Sequence, residues 1–384
     1  MALKRRDTLN KHKNSSYTPD NVYVDIKIPN LTQTTKNVLM TFEQQKDNPI
    51  IDNPSHYYLS LVRWKVPGGN FPVLIMPIVD GQADPNLSVY TVTLETSTDT
   101  FQKNLYYYDR SFDTAPGGDP LNANPNQKVS SYYFIYEYQH LLDMVNQALY
   151  AAWDNVTGKP VGSEPPFMIF NPVTKIFSLV AQLSQYGVEI NALPLTNPAN
   201  PPSYDADIKI FFNVALQELF TGFAIKYFDN ATLGRDAQVL VANYQNNYWP
   251  VPSVVSDYVE VSQQFSSAAQ WSPVKQILFS TNSIPIQSEF TATSGSSYKK
   301  ILTDFEPLAD TPFSDARTTL QYYPQGPYRL LDLTGTNPLY KIDLYVTWLD
   351  IDGNEYYATV PPDDVFTAKL LFVKRDLYKN QYLE

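Results

Sequence analysis

No cysteine occurs in the 384 residues, which excludes disulfide frameworks, thiolate nucleophiles and Cys-ligated zinc. Histidine is nearly as scarce. His12, His56 and His140 are the only three, no pair has zinc-ligand spacing, and no H-E-x-x-H is present. The chain also lacks G-x-x-x-x-G-K-[ST], G-x-G-x-x-G and G-x-S-x-G, so nucleotide cradles and a nucleophile elbow have no support. No apolar run approaches the ~18 residues that a membrane-spanning helix needs. No apolar stretch follows the basic N-terminal residues, so a secretory signal is not expected. Neither a catalytic centre nor a cofactor or metal site is expected, and the chain reads as a non-enzyme.

Charge is thin and uneven. Charged residues make up 17% of the chain, with a net charge of −11. Residues 1–13 hold Lys4, Arg5, Arg6, Lys11 and Lys13 against Asp7, a local +4 that leaves −15 on the remainder. An acidic body repels nucleic acid, so any such contact is expected only from this basic arm.

Aromatic side chains are abundant. The 29 tyrosines and 20 phenylalanines suit pleated, half-buried surfaces. Thirty prolines against fourteen glycines interrupt the chain too often for long helices, which points to a mainly β architecture with many loops. Tyr, Asn, Gln, Ser and Thr supply much of the surface, a composition suited to contacts with neighbouring proteins.

Periodicity locates the elements. Residues 1–20 have none and read as a flexible basic arm. Val22, Val24, Ile26 and Ile28 alternate with polar residues as a strand ending at Pro29. His56 to Val66 reads as a second strand. Pro72 and Pro77 demote Phe71 to Val79 to an edge or irregular strand. Loops rich in Pro, Gly and Asn are expected at 113–128 and 197–202. From about Glu137 to Trp153, Leu141, Leu142, Val145, Ala148, Leu149 and Ala152 form one apolar stripe, the signature of an amphipathic helix. A shorter helix is expected over Val214 to Gly222. Near the C-terminus, Tyr340, Ile342, Leu344, Val346 and Trp348 alternate with Lys341, Asp343, Tyr345 and Thr347. Asp352-Gly353 supplies a turn, Glu355 to Val360 returns as the partner strand, and Phe366 to Phe372 forms the last strand.

Several constellations invite a chemical reading and are better explained by structure. Asp350, Asp352 and Asn354 superficially resemble a calcium loop. Gly353 falls at the fourth loop position instead of the sixth, however, and Pro361 occupies the twelfth, where a glutamate should close the site. Asp363 and Asp364 follow two prolines and read as a solvated turn. His140 lies beside the helix stripe as a structural residue. Tyr106–Tyr108 and Tyr132–Tyr138 read as packing aromatics. Sequons at Asn14, Asn30, Asn86, Asn155 and Asn230 are expected to reflect an Asn- and Thr-rich surface.

Two segments carry a family resemblance. The first is Trp271-Ser272-Pro273-Val274-Lys275-Gln276-Ile277-Leu278-Phe279-Ser280-Thr281, followed by Ile284-Pro285-Ile286. It continues through Tyr328-Arg329-Leu330-Leu331-Asp332-Leu333 and Asn337-Pro338-Leu339. Ile342-Asp343-Leu344, Trp348, Gly353 and Lys369-Leu370-Leu371-Phe372-Val373-Lys374 complete it. The second segment is Tyr57 to Pro77, with Arg63, Val66-Pro67 and Phe71-Pro72. Together they cover about half the chain and resemble the minor capsid (penton) proteins of virophages and Polinton-like viruses.

That resemblance implies a single jelly-roll, an antiparallel Greek-key sandwich built from both ends of the chain, with an inserted α+β region. The expected division is an arm at 1–20, the first part of the jelly-roll at 21–130 and an insertion at 131–254 around helix 137–153. The second part of the jelly-roll follows at 255–376, and a tail at 377–384. The resemblance further implies a virion protein that forms homopentamers at fivefold vertices, with itself and the major capsid protein as partners. Two other readings remain open here: a double jelly-roll major capsid protein and a carbohydrate-binding β-sandwich adhesin.

The basic arm is expected to order on assembly and face the capsid interior, touching neighbours or genome through Lys4, Arg5, Arg6, Lys11 and Lys13. Deleting residues 1–13 should leave the circular dichroism spectrum unchanged while lowering incorporation into capsids. Loss of folding on that deletion would instead make the arm part of the core.

Overall fold

The computed structural model describes residues 19–31, 37–68, 71–79, 86–108, 132–188, 206–228, 234–242, 253–255, 257–291, 297–306, 320–322 and 329–376. The chain divides into two compact units. The first comprises Met1–Gly68, Gln276–Glu306 and Thr319–Glu384, and the second Gly69–Lys275 with Pro307–Thr318.

Eight strands build the sandwich of the first unit. They are β1 (Asn21–Pro29), β2 (Thr41–Gln45), β3 (Tyr57–Val66), β4 (Gln276–Thr281), β5 (Ser297–Phe305), β6 (Leu320–Tyr322 and Leu331–Asp332), β7 (Lys341–Leu349) and β8 (Val365–Lys374). One sheet runs β1-β8-β3-β6 and the other β2-β7-β4-β5, all antiparallel. The first strand therefore pairs with the eighth, the second with the seventh, the third with the sixth and the fourth with the fifth. Such nesting is the wrapped ribbon of a single jelly-roll.

Alternation explains which residues fill it. On β7, Ile342, Leu344, Val346 and Trp348 are buried, and on β1 Ile26 and Ile28 are. Aromatic rings lock the two sheets together: Trp64 of β3 lies 5.0 Å from Phe279 of β4 and 5.3 Å from Phe305 of β5. Phe366 of β8 adds a further contact with Phe279. A register shift between Lys369 and Leu370 breaks the period on β8, so Leu370, Leu371 and Phe372 are all buried.

Three details depart from the sequence reading. Asp343 and Thr347, expected on the polar face of β7, are buried: the turn at Thr281–Ser283 closes over Asp343, and Thr347 lies between Leu278 and Tyr357 in the sheet. Only Glu355–Tyr357 pairs with β7, whereas Thr359–Val360 pairs with Val38–Leu39. Asn30, expected at the surface, is buried, and its Nδ2 donates to the Val360 carbonyl at 2.9 Å.

The main segment of the second unit, Gly69–Lys275, lies between β3 and β4 in the chain and begins well before the 131 expected for the insertion. Its early start has a simple cause: Leu87–Thr96 and Thr100–Tyr106 pair into one sheet with Ile208–Phe212, Ala237–Val239 and Ile225–Tyr227. A second sheet contains Ser253–Val255, Tyr258–Ser262, Ile176–Gln182 and Phe167–Asn171. Among the described residues Leu74–Pro77 pairs only with Tyr132–Ile135, and Pro77 stands at its end. Sheets of five and four strands do not repeat the eight-strand roll, so the described residues form one jelly-roll, not two.

The helix α1 (Tyr138–Asn155) packs on Leu87–Thr96, Thr100–Tyr106 and Phe167–Asn171. The whole expected stripe is buried, together with Met144. Asn146 projects from α1 to the edge strand, donating to the Met168 carbonyl at 2.9 Å and accepting from the Met168 amide at 2.7 Å. One side chain thereby satisfies backbone groups that a further strand would otherwise pair. The shorter helix, α2 (Val214–Leu219), is capped by Asn213, which accepts from the Leu216 amide. Trp271 stacks on Phe177 at 4.7 Å and donates from its indole nitrogen to the Leu219 carbonyl.

Leu149 is fully buried in the centre of this core. Leu149→Ala should therefore cost about 2–5 kcal/mol in chemical denaturation. A loss below 1 kcal/mol would show that the stripe does not carry the packing.

Candidate assembly interface

Residues singled out for chemistry prove to be structural. His140 is buried and donates from Nε2 to the Tyr108 carbonyl at 2.8 Å. The Asp350 carboxylate accepts from the amides of Asp352 and Asn354, the Asn354 side chain and the Tyr356 hydroxyl. With its lone pairs committed to donors, and Gly353 at φ +77°, this is a hairpin turn and not a calcium loop. Asp363 and Asp364 form the turn ahead of β8, their backbones bonded to Asn30. Tyr107 and Tyr133 are buried and stacked at 3.9 Å. Among the described residues no group of three or more His, Cys, Asp or Glu could hold a metal ion. Lys4, Arg5, Arg6, Lys11, Lys13 and His12, the loops at 113–128 and 197–202, and the tail at 377–384 lie outside the described residues.

What remains is surface, and the jelly-roll has two unlike faces. On the outer side of β1-β8-β3, the strand register aligns Asp25 with Lys369 and Arg63, and Lys27 with Thr367 and Lys65. Asp25 pairs with Lys369 at 3.3 Å and Arg63 at 3.7 Å, and the Lys369 ammonium lies 5.4 Å from the centre of the Tyr23 ring. Four cations therefore face one carboxylate. Lys27 and Lys65 have no ion-pair partner among the described residues. This face is cationic although the chain is acidic, because the acidity resides elsewhere. The second unit holds 10 of the 28 Lys and Arg and 21 of the 39 Asp and Glu, or −11; the first unit holds 18 of each, and 13 against 17 once residues 1–13 are set aside.

The outer side of β7-β4-β5 carries a cleft of about 350 Å³, lined in part by Ser280, Tyr298, Tyr345, Thr347, Glu355 and Tyr357. Its cations are already engaged: Lys299 pairs with Glu355, and Lys300 donates to the Asn282 carbonyl at 3.0 Å. Beside it, Phe290 on the edge strand Glu289–Thr291 meets Tyr298 edge-on at 5.6 Å. Both rings are largely exposed, 60% and 75%. A sequence signal for these two residues exists only in part: exposed aromatics on a strand alternate like buried ones.

The family model of the Sputnik minor capsid protein V18/19 matches residues 22–374, nearly the whole chain. The chain belongs to this minor capsid protein family. It is 33% identical over 220 residues to the structural protein V19 of Sputnik virophage, a match covering 54% of this chain and 93% of V19. It is 36% identical over 157 residues to protein V18 of the same virophage, covering 39% of this chain and 91% of V18. A chain in the cryo-EM structure of the Sputnik virophage aligns with a TM-score of 0.72 and 30% identity, over 94% of this chain and all of that one. The mavirus penton protein shares the fold at 15% identity, with a TM-score of 0.58, over 93% of this chain and all of the penton.

Family membership makes this chain a structural protein of a virophage-type capsid and virion, not an enzyme. It associates with other capsid components. Among the described residues no helix is long and apolar enough to cross a membrane.

Asp343 pins the end of β4 to β7. It accepts from the hydroxyls of Thr281 and Ser283 and from the amides of Asn282 and Ser283. Burial alone would raise its pKa, but those hydrogen bonds outweigh burial and hold it below the usual 3.8. Its stabilisation is thus fully present above the unfolded carboxylate range and fades as pH falls through the lowered folded value. Hydrogen bonds to a charged group are worth about 1.5–3 kcal/mol each. Asp343→Asn should destabilise by at least that much at pH 7, with the gap to wild type shrinking below about pH 4. An equal gap at pH 7 and pH 3 in denaturant titrations would remove the charge from the explanation.

Proposed function

We propose that this chain closes the fivefold vertices of an icosahedral capsid as a homopentamer, set against the major capsid protein of the same virus. The observation that carries the proposal is the fold shared with the mavirus penton along that chain's entire length. The two unlike faces of the jelly-roll support it. Fivefold closure requires a heterologous contact in which one surface of a subunit meets a different surface of the next. A ring also covers strand edges that an isolated sandwich leaves open. The basic residues Lys4, Arg5, Arg6, Lys11 and Lys13 would then face inward, towards capsid neighbours or genome.

Mass photometry of the purified protein should show a species containing five 43.7 kDa chains. A virion reconstruction placing the chain at threefold or pseudo-sixfold positions would overturn the proposal.

A further inference from the structure

We propose that the cationic face on β1, β8 and β3 is a nucleic-acid contact that holds the phosphate backbone of the genome the capsid encloses. The proposal stands apart from the ring reading, because a capsid shell has an inner side at every position. It turns this face of the jelly-roll inward.

Strand register makes the patch. Lys27 of β1 and Lys65 of β3 stand level across Thr367 of β8, and Lys369 and Arg63 lie in the next row with Asp25. Neighbouring strands run about 4.8 Å apart and alternate residues on one strand about 7 Å, so four cationic side chains root within roughly 10 by 7 Å. Asp25 is the one carboxylate among them, and it already pairs with Lys369 and Arg63. Lys27 and Lys65 have no ion-pair partner among the described residues. Farther along the sheet, Lys374 and Arg375 are matched by Asp20 and Asp332 and add no net charge. Four cations against one carboxylate leave a local +3 on a chain of −11.

Composition separates a phosphate contact from a protein contact. The centre of a stable protein interface is depleted in charge and apolar. This patch has charge at its centre, with only Thr367 between the lysines. Arg, Lys and Thr are side chains that position a protein on phosphate oxygens. A duplex carries one phosphate per about 1.7 Å of axis, so ~10 Å of it lays roughly six negative charges over the patch. The basic arm adjoins the same face: residues 1–13, at +4, precede β1, the edge strand that carries Lys27. Acidic groups farther off than about 8 Å are largely screened at physiological ionic strength, so the net charge of the chain does not forbid the contact.

Fluorescence anisotropy of the full chain with a labelled duplex and a labelled single strand, across a range of salt, tests the proposal. Wild type should bind, with log affinity falling by about 0.9 per phosphate contact for each tenfold rise in salt on duplex and about 0.7 on single strand. Lys27→Gln with Lys65→Gln should lower the duplex slope by about 1.8, the share of two contacts. Lys103→Gln with Lys275→Gln removes the same charge from exposed lysines of the second unit and should leave the slope unchanged. Asp25→Asn frees Arg63 and Lys369 and should tighten binding, a gain that misfolding cannot imitate. Replacing Lys4, Arg5, Arg6, Lys11 and Lys13 by Gln should weaken binding but preserve the difference made by Lys27 and Lys65. Circular dichroism checks each fold, and if the lysine pair does not fold, Asp25→Asn decides alone. An unchanged slope in the folded lysine variant, or no gain in Asp25→Asn, would overturn the inference. So would a wild type that binds neither probe at low salt. If that wild type still needs Lys27 and Lys65 to enter capsids, the face belongs to an acidic capsid neighbour instead. Mass photometry reads the ring independently of all these outcomes, so the two readings fail separately.

Discussion

Pairing between the two ends of the chain holds the jelly-roll together. Asn21 lies opposite Val373 and Pro29 opposite Val365, so β1 and β8 zip along their length across almost the whole sequence. Every other pair nests inside this one. β8 then offers its second edge to β3, and β7 stands between β2 and β4 in the facing sheet. Closing such long loops costs entropy only logarithmically, about 0.6 kcal/mol for each doubling of length. That slow growth explains how the connection from β3 to β4 can hold the 69–275 segment of the second unit without unseating the pairs around it.

With so few charges, polar side chains secure the places where strands end. Asn30 ties the end of β1 to Val360, Asp343 gathers the turn after β4, and Asp350 organises the turn after β7. In the second unit Asn146 completes an open strand edge, while Asn213 caps α2 and also bonds the backbone of Val89 and Thr91. Buried backbone groups must find partners. Here short amides and carboxylates provide them at the positions where the ladder stops.

For a capsid protein, function resides in surfaces and not in a reactive cleft. Asp343, Asp350, Asp363 and His140 serve turns and packing, which matches a family of minor capsid proteins. Segregation of charge has a use in this setting. The second unit carries most of the acidity, and the first unit without residues 1–13 holds 13 Lys and Arg against 17 Asp and Glu while still presenting one cationic and one aromatic face.

Local periodicity was enough to read β1, β7, β8, both helices and the turn at Gly353, because each depends on residues only a few positions apart. The absence of cysteine likewise excludes disulfides and Cys-ligated zinc from the residues alone. Strand order, the start of the second unit at Gly69 and the burial of Asp343 and Asn30 were not legible. Each is set by which distant strands share a sheet. The same holds for both candidate surfaces. Lys27, Arg63 and Lys369 meet across three strands, and Ser280, Tyr298, Tyr345 and Tyr357 across four. A sequence states how a strand alternates, but alternation is the same for any partner. Only the long-range register decides which side chains become neighbours.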